Sequence, residues 1–488
     1  MDKQKKFFIN KWIGPILVAV YAVSAACLAI YCIRLNIFPV KYIVYAGVSL
    51  ALLGVLAAIL FRRPATSPIG ALLMLVLTAA CLTGFNYIQM TWQAIDKVTE
   101  ADLPADIISV YVMQEDPAQT EEDIADYQIA AVSGASAGEA EYKNVKKTIE
   151  DLEKNIGGPL DIREYETGFA MLDDLREGKI QAVVLGDVYL SMAADVEGYG
   201  WASEGLRRVA AVEHQAEEEN RIVIPKDVPE TFIMYLSGID TYGSAAARSR
   251  SDVNILAVVN IRTKKILLLS TPRDYYIEYA VTGGAKDKLT HAGVYGVDAS
   301  VDALQRLYDI QVDYYLKINF TGFVEVIDAL GGVDVNSDYS FTVPGAGEFT
   351  AGQNHLTGEE ALIFARERYS FQEGDYQRAK NQMEVVRAMI QKCASGSMLK
   401  NYRKVLKGIE GSIETNMPNE QLASLVKMQL ADMAQWEVTS YTPGGTSMYA
   451  ETFSMPGELL SVIEPDQAEV EEAKAKIQSI YTGGSTDM

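Results

Sequence analysis

A chain of 488 residues and 53.6 kDa is too long for one core, and its 49% apolar, 22% charged composition, without Gly or Pro bias, excludes a disordered chain. The formal charge of −22 divides unevenly: residues 1–90 hold eight Lys or Arg against one acid, Asp2, which leaves −29 for the rest. So acidic a body excludes a nucleic-acid partner, because gripping a polyanionic backbone takes a basic face that displaces counterions.

Three apolar runs open the chain, at 12–33, 38–61 and 69–90. Each is long enough to cross a hydrocarbon core of roughly 30 Å as a helix. A cleaved signal peptide would show one shorter apolar core and a small-residue cleavage site instead. Residues 1–95 therefore read as an anchor of three transmembrane helices in a lipid bilayer. Lys3, Lys5, Lys6 and Lys11 precede the first run and Arg62 and Arg63 follow the second, whereas only Arg34 and Lys41 flank the first loop. This bias predicts a cell-membrane protein with a cytoplasmic N-terminus and an extracytoplasmic body from about residue 91. Cys27, Cys32 and Cys81 fall within the runs, so Cys393 stands alone in that body and neither an intramolecular disulfide nor a cysteine metal cluster is expected there.

Extended apolar stretches at 107–113, 127–133, 180–186 and 206–212 alternate with helical patterns at about 139–155 and 169–177. This βαβ-type order predicts a small accessory α/β domain over 100–225. The acidic stretch 214–221, with Pro225 and Pro229, marks a linker. From residue 230 the pattern gives strands at 253–261 and 265–271, a helix at 299–310, a strand at 312–319 and a helix at 323–332 that ends in glycines. The second large unit, 230–395, is thus α/β or α+β. Residues 396–488 read as a C-terminal helical extension with a polar tail, from Glu464, that is expected to fray.

Arginines stand beside the turn and strand-end signals of that unit: Arg248 and Arg250 before Ser251 and Asp252, Arg273 in TPRD, Arg366 and Arg368 in FARERY, and Arg378 after GDYQ. A guanidinium suits phosphate because its planar fork makes paired charge-assisted hydrogen bonds and keeps its charge when buried. Arg366 and Arg368 share a face if the backbone there is extended. Arg378 and Gln382, spaced i, i+4, share a face of a helix running to about Cys393, with Arg378 near an N-terminus whose dipole favours anions. Taken singly, each arginine is a solvated charge or an ion-pair partner.

The motifs GIDTYG (238–243), RSD (250–252), STPRD (270–274), INFTGFVEVIDALGGVDV (318–335), LTGEEALIFARER (356–368) and GDYQRAKNQ (374–382) occur in this order. Together they resemble the LytR-CpsA-Psr family of exported enzymes that attach glycopolymers to Gram-positive cell walls, over roughly 230–395. The anchor and accessory domain are similar to those of the capsule-associated CpsA branch. The resemblance implies an α/β catalytic domain with a central mixed sheet. It also implies a magnesium-dependent phosphotransferase that moves a polyprenyl-pyrophosphate-linked glycan, a capsule or teichoic acid chain, to a peptidoglycan acceptor. Arg250, Arg273, Arg366, Arg368 and Arg378 would grip the pyrophosphate with Gln382, and Asp240 and Asp252 would hold Mg2+. Asp274 would orient Arg273 or assist deprotonation of the incoming hydroxyl. Two positions depart from the family pattern, Tyr242 and Asn381, each standing where an arginine is common; Arg248 is expected to compensate for the first.

Other readings accompany these. His291 reads as structural, Asp375 as a helix cap, and His214 and His355 show no partners in the sequence. Ile255–Val259 and Ile266–Leu269, with Phe320, Phe323, Val324 and Ile327, would line a groove for the prenyl tail or form ordinary core. A non-catalytic polyprenyl-pyrophosphate binding module, or a pyrophosphatase using the same arginines, is the rival function.

Overall fold

The structure, a computed structural model, describes residues 13–63, 65–99, 105–133, 139–215, 222–239, 248–395 and 413–483. Helices α1 (Gly14–Leu35), α2 (Val40–Arg62) and α3 (Ser67–Thr99) pack around Tyr21, Ala57, Met74, Leu77 and Cys81. All three are long and apolar enough to cross a membrane, the third over Ser67–Ala94. A side chain at Gly70 would come within 2.5 Å of the Phe61 backbone nitrogen and 2.7 Å of the Ala57 carbonyl, so only glycine lets α3 lie this close to α2.

The accessory unit is a five-stranded sheet in the order β3-β2-β4-β1-β5, built from β1 (Ala105–Met113), β2 (Gln128–Val132), β3 (Asp161–Tyr165), β4 (Ala182–Gly186) and β5 (Leu206–Gln215). β2 runs parallel to β3 and β4, joined through crossover helices α4 (Glu139–Ile156) and α5 (Gly168–Arg176), while β1 pairs antiparallel with β4 and β5. β3 carries the polar sequence DIREY and is largely exposed, which is why apolar patterning passes over it. Helix α6 (Asp187–Ala193) follows β4 directly, and the turn after it carries Asp195.

The larger unit is built on a six-stranded mixed sheet containing β6 (Thr231–Ile239), β7 (Ser251–Asn260), β8 (Lys265–Ser270), β9 (Tyr314–Asn319), β10 (Ile413–Thr415) and β11 (Glu437–Tyr441), in the order β10-β9-β6-β7-β8-β11. Alternation along β7 divides its two faces. Leu256 and Val258 join the main core, covered by α7 (Val297–Tyr308) and α12 (Gln467–Thr482). Ile255 and Ala257 join a second cluster with Met383 of α10 (Asp375–Ala394). Helices α8 (Phe320–Leu330) and α9 (Gly358–Arg366) flank α10 around Phe341, Phe349 and Phe364.

The C-terminal region departs from the sequence expectation. Residues 413–483 supply two sheet strands, helix α11 (Asn419–Asp432), the hairpin β12 (Gly445–Thr452) and β13 (Met455–Pro465), and α12. The tail was expected to fray because α12 is mostly polar. Val470, Ala473, Ile477 and Ile480 nevertheless align on one face and are at most 3% exposed in the main core, and Asp466 caps the helix by accepting from Ala468 N and Glu469 N. Hairpin residues Met455 and Leu460 pack into the accessory core, tying the two units together.

Candidate functional site

The start of β7 is pinned by a small polar knot in which Tyr235 Oη donates to Asn254 Oδ1 at 2.7 Å and lies 2.9 Å from Ser251 Oγ. The segment 289–296 presses against it because residue 293 is glycine; a side chain there would stand 2.7 Å from the Ser249 carbonyl. Thr290 N donates to the Arg273 carbonyl at 2.8 Å, which ties the turn after β8 into the same assembly. Arg273 Nη1 then donates to Asp252 Oδ1 at 2.8 Å, an oxygen that also accepts from Thr290 Oγ1 at 3.2 Å. On the other side of Arg273, Asp274 lies 3.6 Å from Nε and 3.2 Å from Lys288 Nζ, a lysine only 4% exposed. Arg378, in the first turn of α10, pairs with Asp375 at 2.9 Å, and Arg368 reaches the same carboxylate at 3.6 Å.

Electrostatics bind these pairs into one cluster. Burial opposes ionisation of Asp252, but Arg273, Arg250 and Arg378 outweigh it and hold the carboxyl below its usual range. Asp274 is likewise held down against burial by Lys288 and Arg273, with Arg378 contributing. Burial draws the Arg378 guanidinium below its usual value, and the neighbouring Arg273 and Arg368 reinforce this against the pull of Asp375 and Asp252. Buried Arg273 Nε makes no hydrogen bond among the described residues. Crowded cations and an unsatisfied buried donor are what an incoming anion would relieve.

An apolar cavity of about 590 Å³ adjoins the cluster. Arg366 and Gln382 line it, two residues from Arg368 and one helical turn from Arg378 respectively, and Arg366 stacks at 4.4 Å over the Phe320 ring. Ile255, Val259, Ile266, Phe320 and Phe323 form apolar wall, as the sequence suggested. Ile327 instead lies fully buried in the core around Phe364, and Leu256, Val258, Leu267 and Leu269 face the main core. The lining continues to Leu422, Leu425, Val426 and Met433, on α11 and just after it. The same helix also meets the anchor: Ala423 and Leu422 pack with Leu35, Ile37, Phe38 and Trp92, and Asn419 donates to Asp96 at 2.6 Å.

The fold thus gathers Arg250, Asp252, Arg273, Asp274, Arg368 and Arg378, with Arg366 and Gln382 at the cavity. Arg248 is directed elsewhere: it pairs with Asp106 of the accessory domain at 3.4 Å, so it does not replace an arginine at position 242 in this cluster. Asp240 and Tyr242 lie outside the described residues. Arg366 and Arg368 do not share an extended strand, because Arg366 closes α9 and the chain turns extended only at Glu367. Asp375 does not cap α10, since the capping position is Gly374; it serves Arg368 and Arg378 instead. Asn381 is buried and donates to the Phe364 carbonyl. His291 is structural, fully buried with Nδ1 2.8 Å from Asp287 Oδ1. His214 and His355 have partners after all, Thr148 and Asp334.

Sequence reasoning missed Lys288, Thr290 and Asp195. The first two lie three residues and one residue before His291, where a lysine beside an apolar residue was the available signal. Asp195, from another domain, had none. For a cation, Asp252 offers a suitable ionised carboxylate: both of its contacts fall on Oδ1, which leaves the second oxygen as a hard donor. Among the described residues no group of three or more His, Cys, Asp or Glu converges on a metal-sized site.

The chain is similar to proteins of known kind. A teichoic acid transferase of Bacillus cereus, named polyisoprenyl-teichoic acid–peptidoglycan teichoic acid transferase TagU, is 37% identical over 207 residues, covering 42% of this chain and 66% of that one. Its namesake in Enterococcus faecalis is 34% identical over 199 residues, 40% of this chain and 65% of the relative. The chain therefore spans just under two thirds of the length of these relatives. Among solved structures, TagV of Bacillus subtilis overlays with a TM-score of 0.43 at 27% identity, covering 52% of this chain and 98% of that one. The LytR_cpsA_psr family model matches residues 202–478, more than half of the chain, and the chain belongs to that family.

Proposed function

We propose that this protein is an extracytoplasmic phosphotransferase that moves a wall glycopolymer from a polyprenyl-pyrophosphate carrier to a peptidoglycan hydroxyl. The observation that carries the reading is an arginine cluster beside an apolar cavity of about 590 Å³, whose wall at Arg366 and Gln382 stands within a few residues of Arg368 and Arg378. That pairing fits an amphiphile with a diphosphate head and a hydrocarbon tail. The names of the relatives, which act on polyisoprenyl-linked teichoic acid, support the same donor and acceptor and favour teichoic acid over capsule as the polymer.

In the reaction the acceptor oxygen attacks the phosphorus that bears the glycan. The bond to the bridging oxygen breaks, and the carrier departs as its monophosphate while the hydroxyl proton is released. Charge grows on the bridging oxygen as it departs with the carrier phosphate, where Arg273, Arg368 and Arg378 supply fixed donors. Asp274 positions Arg273 and Lys288 rather than taking the proton, because a carboxyl held below its usual range is a weak base near neutrality. Arg366 and Gln382 stand where the head gives way to the tail. Magnesium, carried by Asp252 with Asp240, would supply further charge neutralisation on the diphosphate. We place the N-terminus in the cytoplasm and the catalytic domain outside, following the lysines before α1 and Arg62 and Arg63 after α2.

The test is a transfer assay with the full chain in detergent micelles, a lipid-diphosphate-linked glycan and peptidoglycan fragments, with Mg2+ or EDTA, and with Arg273→Ala alongside. Phosphodiester-linked product that is lost in the variant supports the reading. Free glycan phosphate without linked product makes the protein a pyrophosphatase, and donor binding without turnover makes it a carrier-binding module.

A further inference from the structure

The accessory domain reaches into the arginine cluster. Asp195, on the turn after α6, accepts a hydrogen bond from Arg250 Nη1, and the two side chains are 22% and 13% exposed. Its charge also bears on Arg273. The turn is held in place: Asp195 N donates to the Met192 carbonyl at 3.0 Å, and Met192, Val196 and Leu190 pack in the cluster that Met455 and Leu460 of the larger unit enter. A second clasp lies alongside, where Arg248 N donates to the Ala105 carbonyl at 3.0 Å and its guanidinium pairs with Asp106. The residues between the two clasps, 248–250, lead straight into Ser251 and Asp252 of β7.

Resting on the anion-site reading above, we propose that Asp195 is an internal counter-ion of this site, holding Arg250 until a diphosphate takes the guanidinium from it. Carboxylate and phosphate oxygens are alternative acceptors for one planar fork, and two anions cannot share it at close range without repulsion. A ligand that takes Arg250 breaks one of the two ionic contacts between the domains and leaves the Arg248–Asp106 clasp in place. By linkage, the docked accessory domain weakens binding by the same factor that binding loosens the dock. Weak free anions are thereby held off, while a donor that also fills the apolar cavity can displace Asp195. The accessory domain thus sets the threshold for donor binding and senses its arrival.

Asp195→Asn keeps the side chain's size and removes its charge. Titration calorimetry of the full chain in micelles with inorganic pyrophosphate should show about tenfold tighter binding for this variant, about 1.4 kcal/mol, with Asp195→Glu near the parent. Hydrogen exchange supplies a second readout: pyrophosphate should raise amide exchange at 192–196 in the parent, and Asp195→Asn should show the raised level without ligand. Asp195→Ser serves if the first variant melts early. Unchanged or weaker binding in both charge-removing variants overturns the proposal, since Asp195 would then merely orient Arg250. Parent binding that Arg273→Ala abolishes supports the anion site independently; no binding in parent or Asp195 variants overturns both readings together.

Discussion

Lys288→Met removes the cation from a buried pair while keeping most of the lysine's apolar volume. Lys288 is 4% exposed and Asp274 15%, so the variant strands a carboxylate whose remaining ion-pair partner among the described residues is Arg273, 3.6 Å away. Breaking one partner of a buried pair costs about 3–5 kcal/mol, and the surviving Arg273 contact places the expectation near about 3 kcal/mol. For a unit of this size that is a fall in Tm of roughly 6–12 °C. The penalty depends on pH. Because the folded Asp274 carboxyl lies below its usual value, its contribution is complete above the unfolded value of about 4 and is lost as pH falls through the folded one. The destabilisation should therefore be largest near neutrality and shrink in acid. Thermal melts of parent, Lys288→Met, Asp274→Asn and the double variant give a cycle with a coupling of about 1–3 kcal/mol. Additivity within about 0.5 kcal/mol, or a penalty that does not change with pH, would refute the pairing and with it the role of Asp274 in holding Arg273.

Other outcomes can be checked alongside. Ile477→Ala, which truncates a core residue of α12 that is 3% exposed, should cost about 2–5 kcal/mol in denaturant unfolding; a near-neutral result would mean that the C-terminal helix does not belong to the core. Met389→Trp narrows the cavity away from the arginines and should weaken binding of a long-chain prenyl diphosphate at least tenfold while leaving inorganic pyrophosphate unaffected. Arg378→Met should weaken both ligands alike, since it removes charge at the head and not wall at the tail.

Length and periodicity exposed the regular elements because each obeys a local rule. The three apolar runs became three helices and residues 253–261 became a strand, but strand geometry puts Ile255 and Leu256 on opposite faces of the sheet and so divides the run that the sequence offered as one wall. Arg378 and Gln382 could be paired because helix geometry fixes the i, i+4 relation. Failures occurred where tertiary context decides. The polar helix α12 buries four small or branched residues only because β7 and β8 offer a surface for them. Arg248 lies two residues from Arg250 in sequence, yet both guanidinia end on accessory-domain carboxylates, and only that of Arg250 also belongs to the cluster. No motif announces such partners, because the acids sit on a different fold, 55 and 142 residues upstream.

The contact between α11 and the anchor gives the cavity a fixed relation to the three apolar helices. One helix separates them: Leu422 lines the cavity and also packs in the cluster with Ile37 and Trp92, while Lys427 donates to Asn36 at 2.6 Å. A catalytic domain swinging on a free tether would present its cavity to the bilayer only part of the time, and donor capture would fall by that fraction. Docking removes this loss, and its value is measurable because it acts on the lipid's approach and not on the chemistry. Asn419→Ala combined with Lys427→Met and Trp92→Ala removes the side-chain polar contacts to Asp96 and Asn36 and the apolar contact at Trp92 without touching the arginines or Asp252. In reconstituted vesicles the KM for a long-chain, membrane-borne donor should then rise severalfold with kcat retained, while a short-chain donor that is soluble in water should show neither change. An equal loss for both donors would mean that the dock supports the fold of the site itself, and that the cavity's place beside the anchor has no part in delivering the lipid.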